Sequence, residues 1–183
     1  MTLKDLHIDK SWTLFLDRDG VINKKLENDY VKHWMEFEFI GGVLDALKKC
    51  GEVFGKIVVV TNQQGIGKGI YRTEDLELIH KNMLYEISYF KGRIDKVYFS
   101  PYLASENHPT RKPGIGMAEQ AKKDFPEIDF SRSVIAGDSI SDMEFGRKAG
   151  MKTVFITSSL PPEKSNQLID FQCKSLSEFA QNL

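Results

Sequence analysis

Five short runs rich in β-branched and aromatic residues recur along the chain, each separated from the next by a stretch with helical spacing, and this alternation narrows the fold more than any other feature. The runs are Thr13 to Asp17, Lys56 to Thr61, Ile94 to Phe99, Ser133 to Gly137 and Thr153 to Ile156. Strands alternating with helices imply right-handed βαβ crossovers and a mostly parallel sheet covered on both faces. The second run is apolar through its middle, Ile57-Val58-Val59-Val60, as a central strand buried on both sides should be. A length of 183 residues suits one domain, 1–183, with enough chain to bury a real core. The expected architecture is therefore three-layered α/β/α, Rossmann-like, with a parallel sheet of five strands or slightly more.

Between the strands, Val43, Leu44 and Leu47 predict a short helix over Gly42 to Cys50, with Lys48 and Lys49 in its last turn and Gly51 as its stop. Thr73 is placed to cap a longer helix. Glu74 and Asp75 suit its positive end, and Leu76, Ile79, Met83, Ile87 and Phe90 form its buried stripe. Ser175-Leu176-Ser177-Glu178 reads as a capping box opening a terminal helix. The stretches 100–113 and 158–165, the latter with Pro161-Pro162, read as irregular. Gly20 to Gly41 has β-like pieces at Tyr30-Val31 and Phe37-Glu38-Phe39, enough for a flap but not for an independent lid.

Charge excludes several function classes. The 25 basic residues nearly balance 26 acidic ones, a formal charge of -1, so no global field marks a nucleic-acid or membrane partner. Met1 to His7 carries no apolar core of signal-peptide length, and no later stretch approaches a membrane span of roughly 18 apolar residues. The expectation is a cytoplasmic monomer with no membrane partner. Cys50 and Cys173 lie far apart, with no Cys-x-x-Cys spacing, and the histidines at 7, 33, 80 and 108 stand singly, so zinc has little support.

Four stretches carry chemistry, three of them at strand ends. The first run stops abruptly at two carboxylates, Asp17-Arg18-Asp19-Gly20, and that much negative charge at a sheet edge calls for a cation, with magnesium the obvious candidate. The same letters occur in solvated turns and calcium loops. The second run ends in Thr61-Asn62-Gln63-Gln64-Gly65-Ile66-Gly67-Lys68-Gly69, whose glycines either aim backbone N–H groups at an anion or only permit a tight turn. It is not a Walker loop, because Gly69 follows Lys68. Arg111-Lys112-Pro113-Gly114 holds two cations before a turn, though exposed basic pairs are usually solvated. Ala136-Gly137-Asp138 ends another apolar run in an acid, and Asp142 follows four residues on, where it could equally answer a helix dipole. In an open α/β sheet the carboxyl ends of strands converge on one crevice at the switch point of strand order. With the fourth strand on the other side of the first from the second, that point falls between Asp17 and Asp138.

In this order and spacing the four stretches resemble the motifs of the haloacid dehalogenase superfamily of aspartyl phosphatases, over essentially the whole chain. Asp17-Arg18-Asp19-Gly20-Val21-Ile22-Asn23, Phe37-Glu38-Phe39-Ile40-Gly41-Gly42-Val43, Thr61-Asn62-Gln63-Gln64-Gly65-Ile66 and Arg111-Lys112-Pro113 are similar to the small branch without a cap domain. That branch includes heptose-bisphosphate and histidinol-phosphate phosphatases. Its members often carry a Cys and His zinc loop before Arg-Lys-Pro, whereas here 100–110 has no cysteine and only His108. Ser139 stands where heptose-bisphosphatases often have lysine.

The resemblance implies a phosphomonoesterase. Asp17 is expected to attack phosphorus and form an aspartyl-phosphate, and Asp19 to protonate the departing alkoxide and then activate water. Asp19 must hold a proton for the first step, which the adjacent anion and an apolar surround would favour. Asp17, Asp138 and the main-chain carbonyl of Asp19 are expected to hold magnesium. Thr61 and Lys112 would grip the phosphoryl oxygens, and Asp142 would orient Lys112 or a metal-bound water. Arg111, with Asn62 and Asn23, is expected to recognise substrate. The expected partner is a small phosphate ester, most simply D-glycero-D-manno-heptose 1,7-bisphosphate, with histidinol phosphate or a polynucleotide 3′-phosphate as alternatives.

Overall fold

A computed structural model of the chain describes residues 2–157, 159 and 163–183. Of the irregular stretch expected at 158–165, residues 158 and 160–162 lie outside the described residues, and a 3-10 helix spans Glu163–Leu168. The strands are β1 (Thr13–Leu16), β2 (Lys56–Asn62), β3 (Lys96–Ser100), β4 (Ser133–Gly137), β5 (Lys152–Ile156) and β6 (Phe171–Cys173). They form one sheet in the order β3-β2-β1-β4-β5-β6, every neighbouring pair parallel. The order reverses at β1, with β2 on one side and β4 on the other, which meets the condition for a switch point between Asp17 and Asp138. β6 was missed: a three-residue edge strand is too short for a periodicity signal.

The helices are α1 (Val43–Val53), α2 (Gln64–Gly67), α3 (Thr73–Tyr89), α4 (Gly116–Asp124), α5 (Ile140–Ala149) and α6 (Leu176–Gln181). Strand side chains alternate between faces, and the alternation sorts the core into two layers. Leu14, Leu16, Ile57, Val59, Val134 and Ala136 face α1, α3 and α6, where Leu47, Ile79, Met83 and Phe179 meet them. Phe15, Val58, Val60 and Ile135 face α4 and α5, where Met117, Ala121 and Phe145 close the other side. No helix among the described residues is long and apolar enough to cross a membrane.

Local expectations fail where a neighbour decides the outcome. Gly51 does not stop α1. The helix runs two residues further and ends where the Phe54 N–H bonds the Cys50 carbonyl and the Phe54 ring buries. The stripe of α3 holds at Leu76, Ile79, Met83 and Ile87, but Phe90 falls beyond the last turn, half-exposed, where Lys91 takes a left-handed backbone. Arg72, not Thr73, stands at the N-cap, and its N–H bonds the Asp75 carboxylate. Ser175 caps α6 by accepting from the Glu178 N–H, as its sequence predicts.

Segment 20–41 is a wall of the crevice. Trp34 stacks on Phe37 with ring centres 4.9 Å apart, Phe39 meets Phe37 edge-on, and buried Val21, Ile22 and Val31 tie the segment to the core. Its β-like pieces form no strand: Asn23 makes one antiparallel bridge with Phe39.

On α5, a Cβ at Gly146 would lie 2.3 Å from a methyl of Ile135 on β4 and 2.7 Å from that of Thr153 on β5. Gly146→Ala should therefore destabilise the protein by about 1–3 kcal/mol through overpacking. Urea unfolding checks this, and an unchanged midpoint would mean that the helix sits further from the sheet.

Candidate active site

Register brings the motif ends together. Leu16 pairs with Val59 on one side and Ala136 on the other, so Asp17 emerges level with Gly137 at the end of β4 and one step before Thr61 of β2. Asp17, Asp19, Thr61, Asn62, Arg111 and Lys112 line one cleft of about 240 Å³ with Lys25, Tyr30 and Ser139. Asp138 joins them at the edge, where its carboxylate accepts from the Lys25 ammonium at 2.9 Å.

Lys112 lies at the centre. Its ammonium, buried, sits 2.6 Å from Asp142 Oδ1 and 3.0 Å from Asp17 Oδ1 and donates to the Val60 carbonyl at 2.7 Å. One ammonium thus meets two carboxylates as ion pairs and one carbonyl by a hydrogen bond. Burial alone would pull the ammonium down, but Asp142 and then Asp17 outweigh it and hold Lys112 above the usual lysine range. Burial, followed by repulsion from Asp142, Asp138 and Asp19, pushes the Asp17 carboxyl up to about 7 against the attraction of Lys112. Burial likewise raises Asp138, against Lys25. One lysine does not satisfy this many acids.

Asp142 does both things the sequence left open. One oxygen faces Lys112, and the other accepts from the Ser139 N–H and hydroxyl at the start of α5.

Asp19 contradicts the expected apolar surround. Arg18 Nη2 donates to both of its oxygens, at 2.9 and 3.0 Å, Asn23 Nδ2 donates to Oδ1 at 2.9 Å, and Gln63 Nε2 donates to Oδ2 at 2.8 Å. Burial would raise the Asp19 carboxyl, yet Arg18 first, and then Asn23 and Gln63, hold it below the usual carboxylate range. A ring of donors was invisible in the sequence because Gln63 arrives from the end of β2.

The three residues expected to recognise substrate are placed differently from one another. The Asn62 amide clasps the main chain of Lys112, accepting from its N–H at 3.0 Å and donating to its carbonyl at 3.1 Å. Asn23 is buried with its amide on Asp19 and does not line the cleft. Arg111 lines it, with Nη1 held by the Tyr102 carbonyl at 3.2 Å. In that loop Tyr102 stacks on His108, ring centres 3.5 Å apart.

The glycine-rich turn answers the packing reading. A Cβ at Gly65 would strike the Tyr71 ring at 2.2 Å, one at Gly67 would strike the Pro101 carbonyl at 2.6 Å, and the Gly67 N–H is spent on that carbonyl. Residues that sequence reasoning passed over also belong to the site: Arg18, Lys25, Gln63, Tyr71 and His80. Arg18 and Gln63 sit inside quoted motifs, whereas Tyr71 and His80 carry no local signal.

The donors present fit a hard divalent cation. Carboxylate oxygens of Asp17, Asp138 and Asp142 lie within 4.8 Å of one another, and buried Asp138 Oδ1 has no hydrogen-bond partner among the described residues. The Asp19 carboxylate is not in this cluster. Gly20 makes room beside it: with φ at +91°, a Cβ there would fall 2.2 Å from Asp138 Oδ2.

Removing the central cation should be costly. Lys112→Met leaves Asp17 and Asp142 buried without their partner and should cost about 3–5 kcal/mol of stability in metal-free buffer. Adding Asp142→Asn should restore part of that loss. Denaturant midpoints for the single and double variants check both points, and equal stability of Lys112→Met and the wild type would contradict the pairing.

Comparison with known proteins gives the family. The family described as polynucleotide kinase 3 phosphatase matches residues 8–183. A Mycobacterium bovis protein named D-glycero-alpha-D-manno-heptose-1,7-bisphosphate 7-phosphatase is 35% identical over 170 residues, 92% of this chain and 90% of that protein. A Helicobacter pylori protein named as the beta counterpart is 34% identical over 169 residues, covering 90% and 92%. Among solved structures, a D,D-heptose 1,7-bisphosphate phosphatase from B. bronchiseptica, complexed with magnesium and phosphate, superposes with a TM-score of 0.81 at 24% identity, covering 93% of this chain and 96% of its own. That likeness speaks for the fold. The chain belongs to the haloacid dehalogenase superfamily, within the family described as polynucleotide kinase 3 phosphatase, and is a phosphatase.

Proposed function

We propose that the protein is a magnesium-dependent phosphomonoesterase that removes the 7-phosphate of D-glycero-D-manno-heptose 1,7-bisphosphate through an aspartyl-phosphate on Asp17. The observation that carries the chemistry is the buried Asp17 carboxylate on the cleft floor, beside Lys112 and the unpartnered oxygen of Asp138. The substrate rests on the two relatives at 34 and 35% identity.

Asp17, Asp138 and the Asp19 carbonyl would hold magnesium, with the Asp142 carboxylate adjacent. When bound, the ion neutralises the charge of the phosphate dianion that would otherwise repel a carboxylate. An Asp17 oxygen attacks phosphorus, the ester P–O bond breaks, and the leaving alkoxide takes a proton from Asp19. Water then attacks the acyl-phosphate, Asp19 takes its proton, and phosphate leaves with Asp17 restored. The ring of donors around Asp19 suits the second step, in which it must be ionised. For the first, the incoming phosphate supplies the negative charge that favours a proton on Asp19. Lys112 and Thr61 stabilise the phosphoryl oxygens, and Arg111 offers a planar fork to the substrate's second phosphate or a hydroxyl.

The family description favours a second reading, a polynucleotide 3′-phosphatase. A formal charge of -1 supplies no general attraction for a polyanion. Phosphate release from both anomers of the heptose bisphosphate, from histidinol phosphate and from a 3′-phosphorylated oligonucleotide separates the readings. The highest kcat/KM is expected on a heptose bisphosphate, with activity lost on chelation and restored by magnesium. A higher value on either of the other substrates would overturn the assignment. Thr61→Ala should lower kcat roughly 100- to 1,000-fold, as removal of one charge-stabilising donor does elsewhere. Undiminished kcat would remove Thr61 from the mechanism.

A further inference from the structure

We propose that His80 and Tyr71 are positioning residues for Asp19, acting through Arg18 and Gln63, so that the acid is held in place from the far side of the site. The inference rests on the role given to Asp19 above.

Arg18 is fully buried, and a guanidinium with no water around it keeps its place only through its partners. On one side Nη2 chelates the Asp19 carboxylate. On the other, Nη1 lies 3.1 Å from His80 Nε2, on the inner face of α3. An arginine has only donors, so Nε2 must be the acceptor and the imidazole must be neutral, with its proton on Nδ1. Burial, and then the adjacent Arg18 charge, pull His80 down to about 3, so the acceptor form persists at neutral pH. Phe37 lies across the guanidinium, 6.0 Å from ring centre to Cζ. Arg18 is thereby fixed between a helix and the carboxylate it grips.

The second arm runs through Gln63. Its carbonyl accepts from the Tyr71 hydroxyl, which anchors the end of the amide that faces away from Asp19. With the carbonyl on Tyr71, Nε2 is aimed at Asp19 Oδ2, 2.8 Å away, and at Thr61 Oγ1, 2.9 Å away. Tyr71 is itself buried, seated against Gly65 and tilted on Tyr30. Together with Asn23, the two arms give each Asp19 oxygen two donors, which leaves the carboxylate no freedom to rotate while they hold. Neither His80 nor Tyr71 touches that carboxylate.

A displaced acid harms a reaction in proportion to how much the leaving group needs a proton. An alkoxide needs one, whereas 4-nitrophenolate departs without. The test is therefore kcat/KM across a series of aryl and alkyl phosphates for the wild type, His80→Leu, His80→Gln and Tyr71→Phe, with melting midpoints measured alongside. In His80→Leu and Tyr71→Phe the alkyl esters should lose roughly 10-fold, a part of the 100- to 10,000-fold that general acid catalysis supplies, and the nitrophenyl ester about 2-fold or less. His80→Gln, which keeps an acceptor toward Arg18, should restore most of the loss. Tyr71→Phe removes one hydroxyl and carries the same comparison should His80→Leu fail to fold. Equal losses across the series, or none, would overturn the inference and leave the phosphatase reading standing. Failure of the wild type to hydrolyse any ester would overturn both.

Discussion

The ammonium of Lys112 is the contact on which the rest of the site depends. It enters from the loop before α4 and is the cation shared by Asp17, just after β1, and Asp142 of α5, with Val60 of β2 supplying the third oxygen. Without it, two acids would face each other in a buried space, where the cost of an uncompensated charge runs to several kcal/mol. The Asn62 clasp on the Lys112 main chain then reads as support: it sets where the loop arrives, and hence where the ammonium points. One lysine ties together four segments distant in sequence.

That arrangement leaves a deliberate imbalance. Asp138 keeps a buried oxygen without a partner, and Asp17 is pushed toward neutrality by burial and by three nearby acids. A divalent cation held there would relieve both at once, and would make Asp17 the ionised group the proposed attack needs. Asp19, two residues on, lives under opposite rules, ringed by donors that keep it ionised. The proposed division of labour between the two acids follows from these surroundings rather than from their shared chemistry.

The parts of this picture legible in the sequence are those written in one stretch of chain. Apolar runs ending in Asp17, Thr61 and Asp138 fix where strands stop, and the switch-point rule places their ends together before any coordinate is known. What stayed hidden depends on contacts between distant segments. The apolar surround expected for Asp19 proved polar because Gln63 reaches it from beyond β2 and because Arg18 and Asn23, in its own stretch, turn their donors onto it. The stop expected at Gly51 failed because Phe54, not the glycine, decides where α1 ends. His80 lies on a helix face that periodicity marks only as core, and nothing nearby shows that its neighbour there is an arginine. A three-residue edge strand such as β6 is below what any local pattern resolves.

The central claim is that the Asp17 carboxylate itself takes the phosphoryl group. Rapid acid quenching of the protein during turnover of a phosphate ester with magnesium, followed by peptide mass spectrometry, tests this most directly. The account predicts a hydroxylamine-sensitive phosphoryl group on the peptide bearing Asp17, absent from Asp17→Asn. Turnover in which no side chain ever carries phosphate, or in which another residue carries it, would contradict the account.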